Sequence, residues 1–554
     1  MKFAALKRLE RNVHRAGEII AVLAKYGLAD WVKGLDYPWI QDRIQSCDGQ
    51  RIPDLKIGER MRLAFTELGT TFIKLGQVLG TRPDLVGLEV ARELAHLQIA
   101  APADPFETVR ATIEADLGNP LNKTLAHFQH APMASASIAQ AHLARLHSGE
   151  EVVVKVQHAG IAEKIMPDLD ILAELAELAE HYAPQARLYQ PAAVVRQFRH
   201  ALLRELDFTI ERRNIEEFTA HFATDDTVRF PRPYAPCSTR RVLTMERLDG
   251  ILCADSAALA ESEADLNEFA RRGATMYLQM IFRDGFYHAD PHPGNLMLLP
   301  GGVVGVLDCG MVGRLDDELS EGIDDMLMAV VNNNPADLGE MILRLGAAPP
   351  ATPRDQLQAD LADFIADYVG HSIQDINVSG ALNSLLGIIR RYHITLPVPL
   401  SLLLRTLVEL EGTAQQLSPK FSLAEVFRPF YTTMVRRRLS MRRILGRLQH
   451  AYRDWERLAE SLPRDLGDVL KRVRDGTFFV HLEHRHIDPA INRLVLGIIT
   501  AALLVSSALL WSMKAPPMVA GVSVFGAAGY IIAAYLGWRL LRAIKKSDDI
   551  DSKK

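Results

Sequence analysis

The sequence predicts an α+β fold of two lobes, with a helical extension before the lobes and a membrane-inserted helical hairpin after them. Apolar residues recur every three or four positions through residues 1–130, which is typical of amphipathic helices. Short runs rich in valine and other strand formers appear within residues 131–250, the expected N-terminal lobe. Helical patterns return in the expected C-terminal lobe, first in a catalytic part at residues 251–345 and then in a helical remainder at residues 346–485. Two long apolar runs occupy residues 494–541.

The composition fits a globular chain of more than one domain and excludes some classes of partner. The 554 residues exceed what one compact domain usually needs, and hydrophobic residues make up 48% of them. The net charge is −5, so no basic surface for nucleic acid is expected. The four cysteines are scattered without a CxxC pair. This pattern disfavours a disulfide framework or a zinc site and fits a reducing compartment.

The apolar runs at residues 494–511 and about 518–541 are each long enough to cross a bilayer. Gly521, Gly526 and Gly529 in the second run would let two helices approach closely. Basic residues flank the outer ends of the hairpin, against one lysine in its turn: Arg485, Arg493, Arg539, Arg542, Lys545 and Lys546, against Lys514. The positive-inside rule then places both termini in the cytoplasm, and the charged N-terminus does not read as a signal peptide. The alternative is a buried hairpin in a soluble core.

A dense group of arginines lies between residues 436 and 447, with leucine and isoleucine among them. One interpretation is a membrane-surface contact with anionic lipid. The other interpretation is a solvated helix face, and the sequence alone does not choose between them.

Two polar loops, at residues 288–295 (HADPHPGN) and 308–310 (DCG), carry the residues best suited to catalysis. Asn295 follows Asp290 by five positions, and Asp308 follows Asn295 by thirteen, directly after an apolar strand. Phosphoryl transfer of the kinase type needs one carboxylate that orients the nucleophile, and an amide and a second carboxylate that hold magnesium. The order and spacing match the kinase catalytic loop and metal loop. We therefore predict a protein-kinase-like fold that uses ATP and Mg²⁺, with Asp290 as the base or orienting residue and Asn295 and Asp308 as magnesium ligands.

A kinase-like site also needs a strand lysine that contacts the α and β phosphates. Lys155 lies in the strand-like run EVVVKVQ, where alternation puts it on one face with Val153 and Gln157. A lone strand lysine is usually a solvated edge residue, but this one lies after a turn of small residues and before a long helical region. That is the order that a kinase-like lobe requires.

The turn of small residues, Ala134-Ser135-Ala136-Ser137, stands where a kinase carries its glycine-rich phosphate loop, and it contains no glycine. Alanine and serine are strained at positive φ, whereas glycine is not. We therefore expect a stiffer loop and altered nucleotide handling.

Three carboxylates, Glu205, Asp207 and Glu211, follow in a helical region that would supply the partner of the strand lysine. Glu205 and Asp207 cannot share one narrow helix face. An acidic helix surface is the alternative interpretation, and the spacing leaves both open.

Together these residues resemble the UbiB family of atypical kinases. The resemblance covers nearly the whole chain and rests on seven short motifs in the same order. They are KLGQ at 74–77, PMASASIAQAH at 132–142, VVVKVQH at 152–158, RELDFTIERRN at 204–214, LTMERLDG at 243–250, HADPHPGN at 288–295 and LDCG at 307–310. The family carries an alanine-rich loop in place of the glycines, and its bacterial members that support ubiquinone synthesis have a similar C-terminal hairpin.

The resemblance implies roles that spacing does not show. It implies an ion pair between Lys155 and Glu211. It implies a helical extension that folds over the nucleotide pocket, with a set of regulatory residues: Lys74, Gly76, Gln77, Glu205 and Asp207, the last two facing the KLGQ segment. It also implies nucleotide contacts from the alanine-rich loop, the strand lysine and the adenine-side hinge: Ala134, Ser135, Ala136, Ser137, Ile138, Lys155, Glu246 and Leu248.

Two positions depart from the expected patterns. Ile99 follows Leu97-Gln98 where the family often has an aspartate, and Cys309 stands where ordinary kinases have phenylalanine. Packing rules from kinase activation therefore do not transfer. We interpret Cys309 as a small buried hydrophobe, with a thiol beside the metal as the alternative.

The leading hypothesis is an ATP-dependent enzyme of ubiquinone biosynthesis. It would be anchored in the bacterial inner membrane by two C-terminal helices, with its catalytic part in the cytoplasm. Its expected partners are membrane lipid and quinone-biosynthesis intermediates or enzymes, and homo-oligomerisation is left open. One alternative is a kinase of a small lipid or a protein. In the family the extension occupies the place where a protein substrate would bind, which favours ATPase activity or a small lipid-like substrate over a protein substrate. Another is a weakly catalytic nucleotide-binding scaffold for biosynthetic enzymes.

Overall fold

A computed structural model of the chain describes most of its residues. They are residues 13–28, 55–97, 102–182, 190–350, 352–369, 377–427, 429–430, 487–519 and 522–551. The chain divides into two compact units, Met1–Arg443 and Ile444–Lys554. The arginine-rich segment at residues 436–447 and Ile99 lie outside the described residues.

The helices of the first unit are named here in chain order. They are α1 (Val13–Lys25), α2 (Ile57–Leu68), α3 (Thr70–Gly80), α4 (Pro83–Val86), α5 (Leu88–Ala95), α6 (Phe106–Leu117), α7 (Leu121–Thr124), α8 (Ile161–Tyr182), α9 (Pro191–Glu205), α10 (Phe208–His221), α11 (Ser256–Glu261), α12 (Leu266–Gln279), α13 (Asp317–Val331), α14 (Pro335–Leu345), α15 (Arg354–Val369), α16 (Val378–Arg391) and α17 (Val398–Leu417).

The strands of the first unit form three sheets. They are β1 (His127–Phe128), β2 (Ala134–Ser135), β3 (Ala139–Arg145), β4 (Glu151–Gln157), β5 (Val228–Arg229), β6 (Val242–Glu246), β7 (Ile251–Leu252), β8 (Phe286–His288), β9 (Leu296–Leu299), β10 (Val303–Val306) and β11 (Val312–Arg314). The sheet orders are β1-β3-β4-β6 with β2 paired to β3, then β5-β10-β9-β7, and then β11-β8.

The N-terminal helices share one apolar core with two helices that come much later in the chain. Phe72 of α3 and Leu94 of α5 belong to this core, and so do Leu169 of α8 and Phe198 of α9. We call α1 to α5 the extension. Because α8 and α9 lie between β4 and α10, the extension packs on segments that are inserted within the N-terminal lobe.

The first sheet separates two environments by strand alternation. Val152, Val154 and Val156 of β4 point to one side, where they pack against Val109 and Ile113 of α6. The residues between these valines therefore point to the opposite side of the sheet. The side chain of Lys155 is one of them, as the alternation in the sequence predicts.

The C-terminal lobe is built on the largest apolar core, which joins α10, α12 and the helices α13 to α17 to the two smaller sheets. The loop at residues 288–295 begins at the end of β8, and the turn at residues 308–310 follows β10. Both loops therefore leave strands that are fixed in this core. The α+β class that the sequence predicts is confirmed.

The described part of the second unit contains two helices joined by a short strand pair. Helix α18 spans Ile487–Ser512, β12 is Met518–Val519, β13 is Val522–Ser523 and α19 spans Val524–Asp551. Within the described residues one segment, Val495–Ser512, is long and apolar enough to cross a membrane. Helix α19 has a shorter apolar stretch, Val524–Leu540.

The prediction of two spanning helices is therefore supported for only one of them. The second apolar run was expected to be helical from residue 518, but Met518–Val519 and Val522–Ser523 pair as the strands β12 and β13 instead. Pro516 and Pro517 precede this pair, and proline disfavours the interior of a helix. The two helices do approach closely at Gly526, where an added Cβ would lie 3.2 Å from the carbonyl oxygen of Ser507.

Candidate active site

Lys155 is the centre of the candidate site. It lies on β4, between β3 and β6. Its Nζ donates to Glu211 Oε1 at 2.6 Å and to Asp308 Oδ2 at 3.0 Å. The structure thus joins a strand lysine, a helix glutamate and the aspartate of the metal loop, although 153 positions separate Lys155 from Asp308.

The start of α10 fixes the position of Glu211. The carboxylate of Asp207 accepts a hydrogen bond from the backbone N–H of Thr209 at 3.0 Å, which caps the helix. Glu211 therefore lies in the first turn. Asn214 lies one turn later on the same side of the helix, and its Nδ2 donates to the carbonyl oxygen of Cys309 at 2.9 Å. One helix thus holds both the strand lysine and the metal loop.

One ammonium group faces two carboxylates in this cluster, so the cluster carries one excess negative charge when both carboxylates are ionised. Burial raises the pKa of Glu211 to about 7, against the opposing charge of Lys155. Burial acts in the same direction on Asp308, but the charge of Lys155 and the N–H of Gly310 hold the pKa of that carboxyl below its ordinary range. For Lys155, burial is outweighed by the two carboxylates, which raise its pKa.

Exposure explains which of the two carboxylates remains ionised. The side chain of Asp308 is 47% exposed, whereas that of Glu211 is 8% exposed. Water therefore stabilises the charge of Asp308, and Glu211 depends on Lys155 alone among nearby cations. Asp308 is the carboxylate of this cluster that an entering cation can reach.

His288 ties the catalytic loop to the metal loop. Its ring is buried, with Nε2 against the backbone carbonyl of Asp308 and Nδ1 at 3.0 Å from the hydroxyl of Tyr277. A carbonyl only accepts, so Nε2 carries the hydrogen and Nδ1 accepts from Tyr277. The N–H of Asp290 also lies 3.3 Å from Nδ1. The two loops are consequently positioned by one imidazole.

Asp290 and Asn295 lie side by side within the catalytic loop. The Nδ2 of Asn295 donates to Asp290 Oδ2 at 2.8 Å. Asn295 ends a short 3₁₀ turn, Pro293–Asn295, which His292 caps by accepting the N–H of Gly294. The amide of Asn295 therefore restricts the orientation of the Asp290 carboxylate and leaves its own Oδ1 as an acceptor.

Helix α17 supports the catalytic loop from below the site. The hydroxyl of Thr413 donates to the carbonyl oxygen of Pro291 at 2.9 Å. The hydroxyl of Thr406 donates to the carbonyl oxygen of Leu402 in its own helix at 2.8 Å and lies 3.4 Å from the carbonyl oxygen of Ala289. The hydroxyl of Tyr287 in turn donates to Pro399 at 2.8 Å. The bond from Thr413 satisfies a loop carbonyl that strand pairing leaves free.

The alanine-rich loop is a hairpin in register with the strand lysine. Ala134 on β2 pairs with Ala141 on β3, which pairs with Lys155 on β4. Directly opposed residues point to the same face, and adjacent strands lie about 4.8 Å apart. The loop therefore begins about 10 Å from the lysine, on its face of the sheet. The hydroxyl of Ser135 is shielded from solvent and has no hydrogen-bond partner in the described part of the chain.

The backbone of the alanine-rich loop is not held at positive φ. The described non-glycine residues with positive φ are Gln190, Asn333, His393 and Lys514. The hairpin thus avoids positive φ instead of forcing alanine or serine into it. Ser137 and Ile138 are both buried, and the side chain of Ile138 belongs to the apolar core of the extension.

The two hinge residues have different surroundings. Glu246 ends β6, where its carboxylate pairs with Arg229 and accepts the N–H of Arg232 at 3.1 Å. The side chain of Leu248 is buried. The carboxylate of Glu246 is therefore already engaged, which leaves its backbone as the part that could meet an adenine.

The extension contacts the lobes through polar groups as well as its core. Lys74 forms an ion pair with Glu205, at the end of α9. The Nε2 of Gln77 donates to the carbonyl oxygen of Leu97 at 2.7 Å. Asp207 was expected to face this segment too, but its carboxylate caps α10 and lies 3.8 Å from Arg240. The structure thus brings Lys74 to Glu205 and places the Asp207 carboxylate elsewhere.

Gly76 is where two parts of the extension meet. A Cβ added there would overlap Leu97 Cδ1 and would lie 2.8 Å from Phe65 Cδ2. Real Cβ atoms do not tolerate such distances, because protein interiors are closely packed. The glycine therefore allows α3 to lie against α2 and the end of α5.

Several supporting residues are not obvious from the sequence. Tyr277, Thr406 and Thr413 lie far from the motifs, in ordinary helical patterns. Asn214 is the exception, because it lies three positions after Glu211 and helical spacing would place both on one side. That spacing could have indicated a second polar contact from the same helix.

The donor set fits a nucleotide-bound magnesium ion. Magnesium bound with phosphates usually takes one or two protein carboxylates or similar oxygen ligands. Asp308 offers an accessible ionised carboxylate with excess negative charge nearby, and Asn295 offers an amide oxygen. Within the described ranges no group of three or more His, Cys, Asp and Glu side chains is placed to hold a metal by itself.

Comparison with family models extends this picture along the chain. Residues 96–342 match the ABC1 atypical kinase-like domain, and residues 361–422 match the UbiB helical domain. Residues 482–546 match the ABC1/UbiB kinase-like C-terminal domain. The fold and the arrangement of the site therefore define a protein-kinase-like protein of the atypical class.

Full-length relatives support the same assignment. The probable protein kinase UbiB of Pseudomonas fluorescens is 33% identical over 479 residues, which cover 84% of this chain and 88% of the relative. The probable protein kinase UbiB of Aeromonas salmonicida is 30% identical over 486 residues, covering 86% and 88%. An uncharacterised protein from the hydrogenase 1 5′ region of Clostridium pasteurianum is 29% identical over 97% of this chain. The chain belongs to the ABC1/UbiB family.

A solved structure is also similar, but at lower identity. The complex of Rv3197 with erythromycin from Mycobacterium tuberculosis is 23% identical, with a TM-score of 0.46, and covers 64% of this chain and 91% of that one. The family assignment therefore rests on the sequence relatives.

Proposed function

We propose that the protein is an ATP-dependent phosphotransferase or ATPase that supports ubiquinone biosynthesis. The observation that carries the proposal is the cluster in which Lys155 contacts Glu211 and Asp308. A kinase-type site requires a strand lysine held by a helix glutamate, with the metal-loop aspartate in place. Membership of the ABC1/UbiB family supports the same chemistry and the link to ubiquinone.

Each residue of the site would have a separate role in binding Mg-ATP or in phosphoryl transfer. Bound Mg-ATP supplies the phosphoryl group and neutralises charge as it transfers. Lys155 binds the α and β phosphates, and Glu211 orients its ammonium group. Asp308 and Asn295 hold magnesium. Asp290 orients the attacking hydroxyl or water, because the Asn295 amide fixes its carboxylate.

The alanine-rich loop and the hinge would complete the nucleotide site. The Ser135 hydroxyl is a free donor for a phosphate oxygen, and the buried Leu248 would pack near the adenine. Ala134 and Ala136 are exposed, so their small side chains let the backbone come near a ligand. In this arrangement the site shields Mg-ATP between two lobes.

The acceptor of the phosphoryl group would be water or a lipid-like molecule of the quinone pathway. Quinone precursors that the protein extracts from the bilayer belong to this class. The extension covers the N-terminal lobe through Lys74 and Glu205 and contacts the C-terminal lobe through Arg82, whose Nη2 donates to the carbonyl oxygen of Leu396 at 3.3 Å. Contacts to both lobes support a gate rather than a docking site for a protein substrate. The segment Val495–Ser512 supports an anchor in the bacterial inner membrane, with the catalytic part in the cytoplasm.

The experiment measures phosphate release by the full-length protein with ATP, magnesium and liposomes. Asp308→Asn should reduce the rate about a hundredfold or more, because it removes the charged magnesium ligand. Asp170→Asn is the matched control, since Asp170 is an exposed residue of helix α8 and pairs only with Arg199 in the described chain. Quinone profiling of a deletion strain complemented with the same variants and with Lys155→Met extends the test to cells.

The outcomes separate the proposal from its alternatives. If Asp308→Asn kept both phosphate release and quinone synthesis, the enzymatic proposal would be wrong. If the variant lost phosphate release but kept quinone synthesis, a nucleotide-binding scaffold would replace it. Transfer of labelled phosphate to a lipid extract would identify a lipid kinase as the specific form of the activity.

A further inference from the structure

The hairpin that would cover the phosphates has an unusual turn. The N–H of Ala136 donates to the carbonyl oxygen of Ala139 at 2.9 Å, which leaves Ser137 and Ile138 as a two-residue turn. Two-residue turns that match the twist of their strands need positive φ at one or both central residues. Neither Ser137 nor Ile138 has it. The turn therefore lacks the usual local support and needs support from outside.

His158, at the end of β4, supplies this support. Its backbone N–H donates to the carbonyl oxygen of Ile138 at 2.8 Å, and its ring Nε2 donates to the carbonyl oxygen of Ala136 at 2.9 Å. Since carbonyl oxygens only accept, Nε2 carries the hydrogen in this contact. The His158 side chain is 9% exposed, so water does not readily take its place. One residue thus satisfies two carbonyls of the turn.

Asp104 holds the imidazole from the opposite side. Its Oδ2 accepts the N–H of Ala159 at 2.9 Å and lies 3.2 Å from His158 Nδ1, a contact that is ionic when the imidazole is protonated. The N–H of Asp104 donates to Gln140 Oε1 on β3 at 2.6 Å. Asp104 therefore joins β3 to the residues that follow β4 and limits the movement of the ring.

The side chain of Ile138 also holds the turn in place. Ile138 is 4% exposed and packs in the apolar core of the extension. The backbone of the turn is thus fixed by His158, and its side chain is fixed by the extension. Its position is imposed by neighbouring parts of the protein, whereas a glycine-rich loop adjusts through its own backbone.

We propose that His158 is a positioning residue for the hairpin of residues 134–139, and that Asp104 keeps its ring in place. The inference rests on the proposed function, in which this hairpin covers the phosphates of ATP. With the ring present, the Ser135 hydroxyl and the backbone of the hairpin are held before nucleotide arrives. Without it, binding must also order the hairpin, and this entropy cost weakens affinity.

The test compares His158→Leu, His158→Gln and the control His147→Leu in the full-length protein. His147 lies in the exposed turn between β3 and β4, where its ring contacts only the carbonyl of Asn122 in the described residues. Mg-ATP binding should weaken about tenfold in His158→Leu, as expected for one lost hydrogen bond. The rate at saturating ATP should stay within about twofold, because the ring does not touch the reacting atoms. His158→Gln should restore most of the affinity, since its amide can donate to Ala136.

Amide hydrogen exchange of residues 134–139 gives a readout that does not require nucleotide. Exchange there should rise in His158→Leu and Asp104→Asn, and should match wild type in His147→Leu. Wild-type affinity in His158→Leu, or equal loss in the Leu and Gln variants, would show that the ring does not position the hairpin. If wild type itself fails to bind Mg-ATP, the proposed function is wrong, and unchanged exchange in these variants would separately overturn the role of His158.

Discussion

Asn214 donates a hydrogen bond to the carbonyl oxygen of Cys309 at 2.9 Å, and both groups are buried. The bond links α10, which carries Glu211, to the turn that carries Asp308. The positions of the lysine partner and the metal-loop aspartate are therefore set by one helix. Movement of α10 would disturb both at once.

Asn214→Leu should lower the free energy of unfolding by about 1–3 kcal/mol, because the buried carbonyl of Cys309 loses its donor. Phosphate release should fall more than the stability loss alone explains, since the metal loop becomes less ordered. Chemical denaturation and a phosphate-release assay measure the two effects. Thr219→Ala on the exposed side of α10 is the control, because its hydroxyl bonds only within the helix. Normal activity in Asn214→Leu would contradict this role for the bond.

The titration of Glu211 predicts a specific dependence of stability on pH. Its pKa is raised from 4.5 to about 7, chiefly by burial. The folded protein therefore binds this proton more tightly than the unfolded chain does. The contribution of this proton to the free energy of unfolding is fully present below pH 4.5 and is lost as the pH rises to about 7.

Glu211→Gln removes this titration. The free energy of unfolding of wild type, relative to that of Glu211→Gln, should therefore decrease as the pH rises from 4.5 to 7. Denaturant unfolding at several pH values in that window measures the trend. Glu216→Gln, at an exposed position of the same helix, serves as the control. A difference that stays constant across the window would refute the raised pKa.

The ion pair between Lys74 and Glu205 predicts a change in activity with little change in stability. Its side chains are 18% and 38% exposed, and such pairs contribute at most about 1 kcal/mol. If the extension gates the site, Lys74→Ala should raise phosphate release about two- to fivefold, within that limit. The charge-reversed double variant Lys74→Glu with Glu205→Lys should restore the wild-type rate.

Lys56→Ala is the matched control for this prediction. Lys56 also lies in the extension, and its pair with Glu89 is long and exposed. Its loss should leave the rate unchanged. Equal effects of Lys56→Ala and Lys74→Ala, or no rescue by charge reversal, would argue against a specific gate at Glu205.

Gly76→Ala should destabilise the protein by about 1–3 kcal/mol, because the new methyl group overlaps Leu97 and Phe65. Gly273→Ala on α12 provides a contrast, since an added Cβ there meets no atom within 4 Å. That change should be neutral or stabilising by up to about 1 kcal/mol. Thermal unfolding of both variants measures the difference. Equal midpoints would mean that the extension adjusts around position 76.

The order of the catalytic motifs could be predicted from the sequence because each motif is local. Asp290 and Asn295 lie within one loop, and strand alternation alone placed Lys155 on the face opposite the buried valines. Long-range pairs were harder to predict, since spacing reports neighbours only within a continuous element. A helix was expected across Glu205 and Asp207, but α9 ends at Glu205 and α10 begins at Phe208. The two carboxylates therefore point to different partners.

The membrane hairpin shows the same limit of sequence reasoning. Hydropathy counted residues 518–523 as part of a second spanning helix, because it does not detect hydrogen bonds between strands. The pairing of β12 with β13 removes Met518, Val519, Val522 and Ser523 from the helix. The supporting hydroxyl of Thr413 was missed for a related reason, since its partner is the backbone carbonyl of Pro291, far away in sequence.

The shared core of the extension with α8 and α9 has a consequence for how such a protein can be divided. These two helices are encoded between the strand lysine and its helix glutamate, and their apolar sides, including Leu169 and Phe198, are covered by α1 to α5. A chain shortened to begin after residue 97 would present those sides to water and would tend to aggregate. Helices α1 to α5 therefore cannot be removed without uncovering the core that α8 and α9 share with them.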